Sequence, residues 1–320
     1  MSGVPSRLGI GLAALGRPAY ITSGRADDLG GSREVARMRQ RTEEVLDAAY
    51  AAGIRYLDAA RSYGLAEDFL AGWLAARPQI RDVVIGSKWG YRYVGDWRLD
   101  AEVHEIKDHS LAAFTEQLAQ TQALLGDRLG VYHVHSATLD TGVLADAALH
   151  RAMADLRDAG VRIGISTSGP AQAETVRRAL EVMVGGAPLF TSFQSTWNLL
   201  ETSVGPALAE AAAAGARVIV KEAVANGRLA PDGYDGTDGV RRAAELAERV
   251  GIGVDQLAIA AALAQPWSWR VLSGAVTPAQ LTSNAGAAGV ALPPDVLDAL
   301  PGLAEPPDDY WTARSHRAWA

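Results

Sequence analysis

Short apolar runs alternate along the chain with longer segments in which apolar positions return every three to four residues. The first pattern suits strands buried on both faces and the second suits helices with one apolar stripe. Their alternation predicts parallel strands joined by crossover helices. The strands fall at Leu8–Ala13, Ile54–Leu57, Asp82–Ser87, Gly130–His135, Arg162–Ile165, Leu189–Phe193, Arg217–Val220 and Arg270–Ser273. The helices fall at Arg41–Ala51, Ala66–Ala76, Ser110–Leu125, Leu144–Ala159, Ala171–Leu180, Thr202–Ala214, Val240–Val250 with Val254–Ala264, and Pro278–Ala287. Ser110 stands where an N-cap belongs, and Gly53, Gly160 and Gly215 come just after their helices. Eight strand–helix units in 320 residues predict an α/β fold, a (β/α)8 TIM barrel, with a doubly wound open sheet as the alternative. No linker or charge run divides the chain, so residues 1–320 read as a single domain.

Three connections exceed the usual short strand-to-helix length. They are Leu15–Gln40, Trp89–His109 and the segment after Val220 that contains "PDGYDGTDG". With the tail "DDYWTARSHRAWA" they are expected to wall or cover a pocket. The tail's Tyr310, Trp311 and Trp319 suit either a place near the barrel mouth or packing on its outside.

Composition narrows the function. A hydrophobic content of 48% supplies a core, while a net charge of −7 and the lack of a basic run exclude a nucleic-acid partner. No cysteine is present, which removes disulfides, thiolate metal sites and cysteine nucleophiles and fits a reducing compartment. The start "MSGVPSRLGIGLAALG" lacks a signal peptide's basic and apolar regions, and no run of eighteen apolar residues occurs. A soluble cytoplasmic protein without a membrane partner is therefore expected. Only three of the 30 basic side chains are lysines, Lys88, Lys107 and Lys221, so each lysine invites a reason.

In such a barrel the chemistry sits at the carboxyl ends of the strands. Six of the eight expected strands end on polar side chains: Asp58, Lys88, His135, Ser166, Gln194 and Lys221. Taken singly, Asp58 suits a helix cap, Lys88 a surface charge and His135 a satisfied core histidine. Their joint placement on neighbouring strand ends points instead to chemistry. A phenol titrates near 10, so Tyr63 needs help to move a proton, and an ammonium beside it favours the ionised form. Lys88 suits that role as a compact point charge, with Asp58 to hold it charged. His135 completes the set as a donor to a substrate oxygen. Asp58, Tyr63, Lys88 and His135 together suit delivery of a proton to a carbonyl oxygen while hydride reaches its carbon.

At these residues the sequence resembles the aldo-keto reductases, through most of its length. "YLDAARSYG" is similar to the segment carrying that family's catalytic Asp and Tyr, "VVIGSKW" to its Lys strand and "VYHVHSA" to its His strand. The resemblance implies an NAD(P)H-dependent oxidoreductase that interconverts a carbonyl compound (an aldehyde, a ketone or a sugar-like molecule) and its alcohol, with Tyr63 as general acid and base. NADPH is the implied cofactor and NADH the alternative. "IGISTSGP" resembles the segment that holds the nicotinamide carboxamide, which implies roles for Ser166 and Thr167, the latter standing where Asn is common, and for Gln194 as their partner. Trp197 falls where the family places a ring stacked on the nicotinamide. "VIVKEAVANGRL", with Lys221, resembles the segment crossing the pyrophosphate, and "LSGAVTPAQLTSN" the element holding the adenosine end, with Asn284 retained. Members selecting NADPH often carry a basic pair on that last element, and here those positions read Gly274 and Gln280.

A second departure is His133, usually apolar in the family. With His135 it places two imidazoles on one strand face, a spacing that metal hydrolases use, yet the later histidines lie in a helix (His150) and the tail (His316). No metal is expected. Two alternatives remain, a non-catalytic, cofactor-binding regulatory subunit of the same fold and a metal-dependent hydrolase using His133 and His135. Trp89, Tyr91, Tyr93 and Trp97 suit stacking on sugar faces or the packing of a long loop. The absence of a basic cluster at the mouth argues against highly anionic substrates.

Overall fold

Each apolar run expected as a strand forms one, and the eight close a parallel barrel in sequence order. They are β1 (Leu8–Gly11), β2 (Tyr56–Asp58), β3 (Val84–Trp89), β4 (Leu129–Ala137), β5 (Arg162–Thr167), β6 (Ser192–Thr196), β7 (Arg217–Lys221) and β8 (Arg270–Ser273). The computed structural model describes residues 6–22, 25–30, 32–233 and 235–319. Residues 23, 24 and 31 of the first long connection, and Tyr234 of the third, lie outside the described residues. No described helix is long and apolar enough to cross a membrane.

Side chains alternate between the barrel interior and the surrounding helices. The inner face of the lower half is apolar, where Tyr56, Val131, Ile219 and Leu272 form a cluster of their own with Val84 and Trp269 against it. Two residues further up the same strands the interior turns polar. The register sets Asp58 against Gly86, Lys88 against His133, and Ser166 against Gln194. This explains why several strands run past their expected ends. β4 continues to Ala137, β5 to Thr167 and β6 to Thr196, into polar residues at which an apolar-run criterion stops. β6 correspondingly starts later, because Leu189 and Phe190 are core residues of its approach.

The expected helices are present with shifted ends. The first begins at Val35 rather than Arg41, since its opening turns bury only Met38 and so carry no apolar period. Ser110 caps Leu111–Leu125 by accepting from the Ala113 N–H at 3.1 Å. Asp146 caps Ala147–Asp158, and Thr277 caps Pro278–Gly286 through the Gln280 N–H at 3.2 Å.

Several short elements carry no sequence period of their own. Arg25–Leu29 forms a helical turn in the first long connection. The second folds into an antiparallel hairpin, Tyr91–Tyr93 against Glu105–Lys107. The tail is a helix, Pro307–Ser315, with Tyr310 and Trp311 buried on the barrel. The Tyr310 hydroxyl accepts from Asn198 Nδ2 at 3.0 Å, so one end of the tail is fastened just beyond β6.

Candidate active site

The four residues singled out for proton transfer meet at one end of the barrel. Asp58 ends β2 and Lys88 lies on β3, fully buried. The Lys88 ammonium donates to Asp58 Oδ2 and, at 3.0 Å, to the Ala59 carbonyl. Asp58 Oδ1 accepts from Gln194 Nε2 at 2.8 Å. Both charges are thus paired and hydrogen-bonded, as burial requires. Tyr63 stands above the pair, with Lys88 Nζ 4.7 Å from its ring centre and the His135 ring edge-on at 5.4 Å. His135 Nδ1 shares a 3.2 Å hydrogen bond with Ser62 Oγ, and Tyr91 meets the same imidazole edge-on at 5.0 Å.

The electrostatics correct one expectation. Tyr63 is held well above the ordinary phenol value, by burial first and then by the Asp58 charge, with Arg17 opposing them. Burial and the Asp58 charge, which lies in direct contact with Lys88, outweigh any lowering by the ammonium. A phenol so placed keeps its proton at neutral pH, the form a proton donor needs. His135 is pushed well below its usual value by burial, then by Lys88 and Arg17. It is a neutral imidazole able to donate from one nitrogen while the other faces Ser62.

His133 lies one layer deeper. It is fully buried and pushed down to about 3 by burial and by Lys88, and its Nε2 shares a 2.9 Å hydrogen bond with Ser192 Oγ. Gly164 gives it room, since a Cβ there would stand 2.5 Å from its Cδ2. The two imidazoles of "HVH" therefore serve separate layers, one filling the barrel and one facing the pocket. Among the described residues no group of three or more His, Asp or Glu side chains could hold a metal ion.

The pocket encloses about 250 Å³ and reaches from Asp58, Tyr63 and His135 to Ser273 and Gly274. That size suits a small ligand. Its wall along β1, β8 and the loop after β7 mixes small residues, Gly11, Ala13, Ala223, Gly227 and Gly274, with larger ones such as Leu272, Val224 and Asn226. A Cβ at Gly274 would meet nothing within 4 Å, so the open space continues past the backbone. This cradle fits a flat, extended group such as a nicotinamide dinucleotide, which needs close approach to the main chain.

The other residues singled out from sequence divide into two groups. Gln194, Lys221 and Gly274 line the pocket. Ser166 is buried beside it, where its Oγ accepts from the Ser136 N–H at 2.8 Å. Thr167 instead faces the helix layer, fully buried, with its hydroxyl 2.7 Å from Ser195 Oγ, and Ser168 lines the pocket next to it. Trp197 likewise packs in the core, edge-on to Trp267 at 5.8 Å. It is not among the side chains that line the pocket. Gln280 accepts from the Val276 N–H at 2.9 Å and donates to Asp28 Oδ2 at 2.6 Å. Asn284 donates to Ser273 Oγ at 2.8 Å, which fixes the strand end beside Gly274.

Several residues at the pocket and just behind it carried no sequence signal. Glu222 follows Lys221 with φ +57° and accepts both donors of Arg314 from the tail helix. Burial would raise its carboxyl, but Arg314 and Lys221 hold it down at about 2. Lys221 donates to Thr196 Oγ1 at 2.6 Å and is pushed down to about 8, chiefly by burial. Ser136, also on the rim, adopts φ +48°. With Asn226 at φ +54°, left-handed backbone at three non-glycine pocket residues is strain of the kind that gathers at functional sites. Arg17 and Glu105 complete the set, paired at 2.7 Å. The tail thus does both things expected of it, burying Tyr310 and Trp311 while Arg314 and Trp319 line the pocket. Of the hairpin aromatics only Tyr91 reaches the pocket. Trp89 packs on Phe114, and Trp97 Nε1 donates to the Arg33 carbonyl at 2.6 Å.

The sequence matches the model of the Aldo/keto reductase family over residues 8–305. Among curated proteins no significant match is found. Solved structures with the same fold include a holo form of an aldo-keto reductase from Bacillus halodurans, with 23% identity, a TM-score of 0.68, and 94% of this chain and 93% of that one covered. The glycerol dehydrogenase of Gluconobacter oxydans has 19% identity and a TM-score of 0.69, with 95% and 92% covered.

Proposed function

Since the chain belongs to the aldo-keto reductase family of oxidoreductases, we propose that it interconverts a small carbonyl compound and its alcohol with a nicotinamide cofactor. The observation that carries this reading is the convergence of Tyr63, the Asp58–Lys88 pair and His135 on one pocket whose far wall includes Gly11, Gly227 and Gly274. Tyr63 donates its proton to the carbonyl oxygen in reduction and takes it back in oxidation. His135, neutral and turned by Ser62, donates a hydrogen bond to the same oxygen and orients it. Asp58 and Lys88 fix the floor beneath the phenol, and Gln194 holds Asp58. The cofactor, when bound, supplies the hydride.

Ser166, Gln194, Lys221 and Gly274 would hold it along the pocket wall. The Thr277-capped helix with Gln280 and Asn284 would receive its adenosine end, where the helix dipole favours anions. Thr167 and Trp197 take no part in this reading, since neither lines the pocket. Neither Gly274 nor Gln280 offers a cation to a 2′-phosphate, and Gln280 is bonded to the Asp28 carboxylate. A charge-assisted hydrogen bond is worth about 1.5–3 kcal/mol, roughly tenfold or more in Kd, and this element forgoes it.

The test is a titration of the purified protein followed by nicotinamide fluorescence, with NADPH and NADH separately. Saturable enhancement with both, and affinities within about tenfold of each other, is the expected result. Binding of neither would remove the hydride donor and with it the proposed reaction.

A further inference from the structure

Arg17, in the turn that follows β1, is only 2% exposed. Guanidinium groups are rarely buried so deeply unless firmly held, and this one is held from several sides. Its Nη1 donates to the Ser62 carbonyl at 3.2 Å and to Glu105 Oε1 of the hairpin at 2.7 Å. The group lies over three rings, 5.1 Å from the centre of Tyr63, 4.7 Å from Tyr20 and 4.8 Å from Trp319 of the tail. The backbones beneath it are pressed together, with the Leu65 N–H donating to the Gly16 carbonyl at 2.7 Å. A Cβ at Gly64 would stand 2.5 Å from that carbonyl oxygen, and one at Gly16 would stand 2.4 Å from the Tyr63 oxygen. Only glycine allows this approach. The segment so clamped carries Tyr63 and also Ser62, whose hydroxyl turns His135.

We propose that the Arg17–Glu105 pair is a positioning element for the Tyr63 acid, fixing the segment that carries it and setting the charge beside it. The inference rests on the reading of Tyr63 as proton donor. The groups that face Tyr63 are Asp58 from β2, Lys88 from β3, His135 from β4, Arg17 and Tyr20 from the first connection, Glu105 from the hairpin and Glu222 from the loop after β7. Burial and Asp58 raise the phenol, Arg17 lowers it, and Glu105 and Glu222 raise it. Arg17 and Glu105 therefore act on the same proton with opposite sign.

That opposition supplies a readout that a purely structural role would not move. Reduction needs the protonated phenol, so kcat falls as pH rises through its titration. Removing the positive charge in Arg17→Met moves this alkaline arm to higher pH, and removing the negative charge in Glu105→Gln moves it to lower pH. The Arg17→Met displacement is expected to be about one pH unit for a charge beside the ring, and the Glu105→Gln displacement smaller, since Glu105 acts on the phenol less than Arg17 does. Arg17→Lys keeps the charge but not the fork, so its arm stays near that of the unaltered protein while kcat drops. Tyrosinate absorbance, after subtraction of a Tyr63→Phe background, should show the same displacements directly. Arms that move together, or not at all, overturn the proposal. Should Arg17→Met fail to fold, Glu105→Gln decides alone, a downward displacement supporting the proposal and an unmoved arm overturning it. Undiminished turnover in Tyr63→Phe overturns the reading beneath, whereas lost turnover there with unmoved arms overturns this inference only.

Discussion

Replacing Tyr63 by phenylalanine is expected to lower turnover by about 10²–10⁴-fold, the usual worth of a positioned acid, while leaving cofactor affinity unchanged. The substitution removes one hydroxyl and keeps the ring. The edge contact with His135 and the cation contacts from Lys88 and Arg17 involve that ring, so the fold and the pocket floor should persist. Steady-state kinetics and the fluorescence titration on the same sample check both halves. Full turnover in this variant would leave the proton without its donor and sink the mechanism. Lost turnover together with lost cofactor binding would show instead that the phenol shapes the pocket.

The second large effect is expected from Lys88→Met, and it is an effect on stability as well as on rate. Lys88 and Asp58 are both almost fully buried. Removing one partner of such a pair costs about 3–5 kcal/mol because the other charge is stranded. Against a total of about 5–15 kcal/mol for a domain, that loss should move a urea midpoint markedly. Adding Asp58→Asn to Lys88→Met removes the stranded charge, so part of the stability should return while turnover stays low. If Lys88→Met unfolds within about 1 kcal/mol of the unaltered protein, the pair is not the buried, desolvated contact described here.

What the sequence revealed and what it hid follow from the range of the forces involved. All eight strands were legible because a doubly buried strand must be apolar over its own length. Asp58, Lys88 and His135 were legible as polar residues closing apolar runs. The same criterion could not tell which way the last residues of a strand point. Thr167 and Trp197 were named from the family resemblance alone, and neither lines the pocket: the Thr167 hydroxyl meets Ser195 and Trp197 packs on Trp267. Arg17, Glu105, Glu222 and Arg314 were illegible for a different reason. Their positions depend on contacts between connections far apart in the chain, such as the tail helix on the loop after β7, and no local period records such contacts. The tail's own helix was missed because only Tyr310 and Trp311 bury, too few to mark an amphipathic face.

The lowered phenol expected from Lys88 is also instructive. A lysine near a tyrosine suggests an activated phenolate only where burial and neighbouring carboxylates do not outweigh it. Once Asp58 lies in contact with it, burial decides the direction. The acid role survives this correction, since a donor must first hold its proton.

The central claim is hydride exchange between a nicotinamide and a carbonyl carbon at the Tyr63 pocket. Its most direct test is to incubate the purified protein with cofactor deuterated at C4 and a panel of small aldehydes, hydroxyketones and sugars, reading deuterium in the alcohol products by mass spectrometry. The account predicts label on the former carbonyl carbon of at least one product, and sharply reduced labelling with Tyr63→Phe under the same conditions. Cofactor bound to saturation with no label in any product, or equal labelling by the Tyr63→Phe variant, would contradict it.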